Sequence, residues 1–143
     1  MSSAVRRVFV PLGPAALRRL DAEGRLPPPG RGHAVTDRLR EAVPGADEDD
    51  LEYTALCDAA DASVGAGPGW RLVAAADVAA AGVLASVPDG GRAPSTESLV
   101  WLSEPLDLAH VASFHVGEPG AADDEELSWY DVSELPVILA SLG

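Results

Sequence analysis

The 143-residue chain has no lysine, no asparagine and no glutamine, and only one isoleucine, one methionine and one cysteine. Codons for lysine, asparagine and isoleucine are rich in A and T, so the bias reads first as a high-GC genome. Its chemical consequence is separate. Without lysine there is no Schiff-base lysine, no pyridoxal phosphate attachment and no phosphate-loop lysine. The single cysteine, Cys57, cannot close an internal disulfide or build a thiolate zinc cluster. Aromatic residues make up 5% of the chain. No apolar run reaches the roughly eighteen residues of a membrane helix, and the start, Met-Ser-Ser-Ala-Val-Arg-Arg, lacks the apolar segment of a signal peptide. These absences predict a cytoplasmic protein with no membrane partner.

What is present suits one α+β domain spanning residues 1–143. A chain of this length buries enough surface for a core without metal or disulfide. Alanine supplies 25 of the 67 apolar residues, so larger core side chains are mostly leucine and valine. The charge is −13 and unevenly placed. Residues 1–40 carry eight arginines against three acids, a balance of +5, and residues 41–143 carry two arginines against twenty acids, a balance of −18. An arginine-rich third including Arg18, Arg19, Arg38 and Arg40 could meet an anionic partner. Pairing with the chain's own acidic helices explains the same arginines, and so acidic a domain is repelled by nucleic acid at long range.

Residues 5–12, closed by proline, suit a buried strand. Pro14 opens a helix that Gly24 ends, and the prolines of 25–32 predict an extended surface loop. Thr36 caps a short helix, and Asp47 caps a longer one with Glu48, Asp49 and Asp50 in its first turn. On that longer helix Tyr53, Leu56, Cys57, Ala60 and Val64 form one stripe, expected to be buried, and Asp47, Asp50, Thr54, Asp58 and Asp61 form another, expected to face solvent. Strands are predicted at 70–78, near 83–87, at 99–102, 111–116 and 127–132, the last followed by a helix capped by Ser133. Most helices then lie between the first and second strands. The pattern predicts a two-layer α+β fold, a mixed sheet of four to five strands with three to four helices.

Candidate chemistry is thin. His110 and His115 are five apart, which on one strand would point them to opposite faces and rule out a chelating pair. Counted from Asp47 as a calcium loop, the sixth and twelfth positions hold Glu52 and Asp58, where glycine and glutamate are needed. No metal and no cofactor are expected. Cys57 lies on the stripe expected to be buried, where a small hydrophobe is its better role. Gly30-Arg31-Gly32 is a weak phosphate loop, because no strand leads in and no helix follows at once. On a strand, Trp129 and Tyr130 point to opposite faces, one toward the core and the other toward an edge or groove.

Taken together, the stretches Val8-Phe-Val-Pro-Leu12, His33-Ala-Val-Thr36, Leu51-Glu-Tyr-Thr-Ala-Leu56, Val73-Ala-Ala-Ala-Asp-Val78, Val111-Ala-Ser-Phe-His-Val116 and Leu127-Ser-Trp-Tyr130 resemble a family of small acidic actinobacterial proteins of unknown function. The resemblance spans nearly the whole chain, least at 79–98. It implies a single intracellular domain and brings no catalytic residues with it.

Two functional readings follow. The first is a non-enzymatic binding or regulatory module acting through protein contact, with Arg18, Arg19, Arg38, Arg40, Trp129 and Tyr130 as its candidate surface. The second is a small enzyme in which His115 or His33 works with a carboxylate such as Glu52 or Asp77 as an acid–base pair. A concave pocket where histidine and carboxylate converge distinguishes the second from the first. Nucleic-acid contact through the arginine-rich third is a further alternative, and it predicts steep salt dependence.

Overall fold

A computed structural model describes residues 4–28, 30–64, 69–84, 97–119 and 126–142. Strand β1 (Val5–Leu12) leads into helix α1 (Pro14–Glu23), which Gly24 stops in a left-handed conformation at φ 77°. Two short strands follow, β2 (Arg25–Leu26) and β3 (Gly30–His33). Then come α2 (Asp37–Ala42), α3 (Glu48–Val64), β4 (Arg71–Ala79), β5 (Val83–Leu84), β6 (Leu99–Leu102), β7 (Leu106–Asp107), β8 (Val111–Gly117), β9 (Ser128–Asp131) and α4 (Leu135–Ser141). The caps follow the physics of unpaired helix N–H groups. Thr36 Oγ1 accepts from Leu39 N at 3.0 Å, and Asp47 Oδ1 accepts from Asp50 N at 2.9 Å.

Seven strands form one sheet in the order β5-β6-β3-β1-β4-β8-β9, and β2 pairs with β7 in a second, two-stranded sheet. Every pairing is antiparallel, which corrects the mixed sheet of four to five strands. The shortfall came from 25–32. Its prolines predict loop, yet Gly30 to His33 pairs residue for residue with Leu102 to Leu99. Gly32 shows why the local sequence hides this. A Cβ placed there would lie 2.5 Å from Val8 Cγ1, so the close approach of β3 to β1 requires glycine, the residue that most weakens a strand prediction. Helices α1, α2 and α3 do precede the central strand β4, as expected, but β2 and β3 separate α1 from the other two. Of the edge strand expected over 83–87, Val83–Leu84 is present and the remainder lies outside the described residues.

Alternation along β1 and β4 sends side chains to two faces. Val8, Val10, Leu12, Leu72, Ala74 and Ala76 join Leu17 and Leu20 of α1 and Leu135 and Ile138 of α4 in one cluster. Phe9, Val73 and Ala75 meet Ala55, Ala59 and Ala60 of α3 in the other. Helices therefore cover both faces, which replaces the expected two layers with three. Helix α3 also seats on a different stripe from the one predicted. Leu51, Ala55, Ala59, Ala60 and Ser63 are buried, whereas Tyr53 is 55% and Val64 41% exposed. Alanines let the helix axis come close to the sheet, and the larger Leu56 packs from the flank. At the C-terminal end, Asp131 and Glu134 make a reciprocal capping box on a 3₁₀ turn over Val132–Glu134, so Asp131 takes the role expected of Ser133.

Candidate functional site

The shifted seating of α3 matters because of Asp58. Three residues after the buried Ala55 and half-buried itself, it stands at the rim of the seated face beside β3, not on the solvent stripe. Opposite it is Ser98, fully buried just before β6. The backbone fixes that position, since Ala34 N donates to Ser98 O at 2.9 Å and Arg38 Nη2 donates to Leu99 O at 2.9 Å. Thr36 Oγ1 also donates to Glu97 O. Three segments distant in sequence are thus laced together around His33, which is 4% exposed.

The result is a relay. Ser98 Oγ donates to Asp58 Oδ2 at 2.6 Å, and His33 Nδ1 lies 2.8 Å from Ser98 Oγ. A serine has one proton, and here the carboxylate takes it. His33 Nδ1 must therefore carry a hydrogen and donate, which leaves Nε2 as the bare, basic nitrogen of the ring. Burial pushes the His33 pKa below its ordinary value. The Asp58 charge opposes that shift and the Arg31 charge adds to it. The imidazole is accordingly neutral near pH 7, the state in which Nε2 accepts a proton.

His33 and Asp58 line a cavity of about 880 Å³ at the place where β1 and β3 stop pairing. The two strands meet at one position, Phe9↔His33. Beyond it Pro11 has no N–H to extend the ladder. Val10, Pro11 and Leu12 form one wall and Gly30, Arg31 and His33 another, with Asp61 of α3 and Leu26 also at the lining. The Arg31 guanidinium sits 5.7 Å from the ring centroid of Trp101, its cross-strand partner, a cation–π distance. Gly30-Arg31-Gly32 is thus part of a strand that supplies a cavity wall, and the weak phosphate-loop pattern is not what it forms. The cavity combines an apolar body with a neutral imidazole, two carboxylates and one guanidinium.

The other sequence candidates lie elsewhere. His115, on the α3 face of β8, has Nε2 3.2 Å from Ser113 Oγ, and burial, aided by the Arg7 charge, lowers its pKa. Arg7 and Asp77, cross-strand partners in β1 and β4, form an ion pair at 2.8 Å, and Glu52 is near enough to add to the field at Arg7. Asp77 is held below its ordinary value by that pair, so it is committed to Arg7. His110 stands in a 3₁₀ turn ahead of β8, not on the strand. Arg19 pairs with Glu23 at 2.8 Å, Arg40 with Glu48 at 2.9 Å, Arg38 reaches the Leu99 carbonyl, and Arg18 is exposed on α1. Trp129 is 62% exposed, while Tyr130, on the other face of β9, packs against the larger core cluster. Cys57 is half-buried, and burial raises its thiol pKa, so it is protonated and poorly nucleophilic at neutral pH. Among the described residues no group of three or more histidine, cysteine, aspartate or glutamate side chains could hold a metal ion. No helix among them is long and apolar enough to cross a membrane.

Sequence reasoning proposed His33 but missed Ser98 and Asp58. Ser98 carries no pattern of its own, and Asp58 looked like one solvated acid among several. The one available signal was the spacing of Leu51, Ala55 and Ala59, four residues apart, which marks the close-packed side of α3.

Fold and site define an antiparallel α+β domain, helices on both faces, with a buried aspartate–serine–histidine relay opening on a cavity. The chain belongs to a family of unknown function, DUF6912, which matches residues 6–139. No curated protein and no solved structure matches it.

Proposed function

We propose that the protein is a small cytosolic enzyme, working as one domain, that performs proton transfer on a small amphipathic substrate, with His33 Nε2 as general base. The observation that carries this reading is the direction of the relay. The Ser98 hydroxyl donates its one hydrogen bond to Asp58, which fixes His33 in the tautomer whose basic nitrogen is the one without a hydrogen-bond partner among the described residues. A purely structural histidine has no need of a cavity beside it. In the substrate complex, a donor O–H or N–H approaches Nε2, the apolar walls hold the body of the molecule, and Arg31 stands near to meet developing negative charge. As Nε2 takes the proton, the imidazolium that forms is stabilised by Asp58 through the Ser98 hydroxyl, whose hydrogen bond from Nδ1 strengthens with the charge. The cavity in which a histidine and a carboxylate converge favours this enzyme over the protein-contact module, and it replaces Glu52 and Asp77 with Asp58 as the acid–base partner.

Hydrolysis of p-nitrophenyl acetate, which neutral imidazole accelerates, tests the reading. The wild type is expected to exceed His33→Gln by at least roughly tenfold, with a rate that rises as His33 loses its proton. Equal rates in a folded His33→Gln protein would overturn it.

A further inference from the structure

A second cavity, of about 470 Å³, lies on the other face of the sheet, between the Gly117 end of β8, the Ser128 end of β9 and helix α4. Val116, Ser128 and Tyr130 share that face by register, since Ser128 pairs with Val116 and Tyr130 with Phe114. Trp70 precedes β4 with the parity of Leu72 and Ala74, and so reaches the same side. Both aromatic rings line the hollow and both rest in part against the core. Its lining carries two exposed carboxylates, Glu118 and Glu126, and no basic residue among the described residues. Arg71, next to Trp70 in sequence, has the parity of Val73 and Ala75 and leaves from the opposite face. Gly69, at φ 92°, lies against Pro119, so the Trp70 end and the Glu118 end of the hollow are joined.

The geometry points to a binding site for a small organic cation with a methylated ammonium head. Two electron-rich aromatic residues line the hollow, and such a ring attracts a cation without demanding hydrogen bonds, which a quaternary nitrogen cannot give. The two carboxylates add a long-range attraction that a neutral molecule of the same shape does not feel. Val116 and Ile138 offer apolar contact to the methyl groups. A compact primary ammonium is more strongly hydrated and gains less from such walls. This site is independent of the His33 reading, for it shares no residue with that cavity.

The test is titration of the full chain with choline chloride, followed through the three tryptophan indole N–H signals in nitrogen-15 correlation spectra. Phe in place of Trp70 assigns the relevant signal, and 3,3-dimethyl-1-butanol serves as the neutral isostere at equal sodium chloride. The expected result is a saturable shift of the Trp70 signal with choline and binding at least roughly tenfold weaker for the isostere. The surface double variant Glu118→Gln, Glu126→Gln should weaken choline several-fold with the fold unchanged. Equal affinity for the isostere, choline affinity unmoved in the double variant, or no saturable response of the Trp70 signal would each overturn the proposal.

Discussion

At the scale of single residues, the position of one proton decides what His33 can do. With the Ser98 hydroxyl donating to the Asp58 carboxylate, the ring donates from Nδ1 and is held in one tautomer, and burial keeps it neutral. Removing the Asp58 charge removes what raises the His33 pKa, so Asp58→Asn should lower its midpoint further in an NMR titration. A midpoint unchanged or higher would show that the carboxylate does not act on the ring. Ser98→Ala leaves a buried Nδ1–H and a carboxylate oxygen without partners, a loss of about 1–3 kcal/mol that denaturant unfolding would read. His115, the other histidine offered for the acid–base pair, has apolar residues on both sides in sequence. Its nearest hydroxyl is Ser113, two residues away on its own strand, and the neighbouring ion pair is already closed between Arg7 and Asp77. A flanking pattern reports which face a side chain takes; it holds no information about which distant segment lies opposite, and Ser98 is 65 residues from His33.

Among elements, α3 and β3 set the site. Caps, breakers and long apolar runs were legible in sequence, because they rest on local chemistry: Pro14 and Gly24 bound α1, Thr36 opens α2, Asp47 opens α3, and the strand read at 70–78 is β4, Arg71–Ala79. The choice of face on α3 was not. Size ranking favours Tyr53, Leu56 and Val64, but the sheet selects the alanines that permit close approach. The same closeness makes Ala59, fully buried, intolerant of bulk, so Ala59→Leu should cost about 1–3 kcal/mol by overpacking. Strand β3 escapes local reading for a related reason, since glycine and proline are poor strand formers and only the neighbouring strands β1 and β6 compel the pairing. Gly32→Ala tests that account. Its Cβ would drive into Val8 Cγ1, and the expected loss is again about 1–3 kcal/mol, partly recovered when Val8 is also made alanine. If Gly32→Ala alone is neutral, β3 does not need glycine to lie against β1.

For the molecule as a whole, the buried His33 and the half-buried His115 couple proton uptake to stability. Both have folded pKa values below the unfolded one, so between those values and about 6.5 the unfolded chain binds more protons and stability rises with pH. Thermal stability should therefore fall on acidification from about pH 7 to pH 5, and His33→Gln with His115→Gln should flatten that slope. Asp77 works at the other end of the scale. Its pKa is depressed, so its contribution is present above its ordinary value near 3.8 and lost as pH falls through the lower folded one. The uneven charge, visible at once in the sequence, left two readings of the arginines in the first forty residues, an anionic partner or the chain's own groups; in the fold Arg7, Arg19 and Arg40 pair with Asp77, Glu23 and Glu48, Arg6 and Arg38 donate to backbone carbonyls, and Arg31 lies over Trp101. What unites these scales is a neutral His33 whose proton sits on Nδ1 beside an open cavity. Long-range nitrogen-15 NMR of the imidazole rings, followed across pH, measures that state directly. The account predicts that His33 is the Nδ1–H tautomer at neutral pH and titrates below 6.5; an Nε2–H tautomer, or a midpoint above that value, would contradict it.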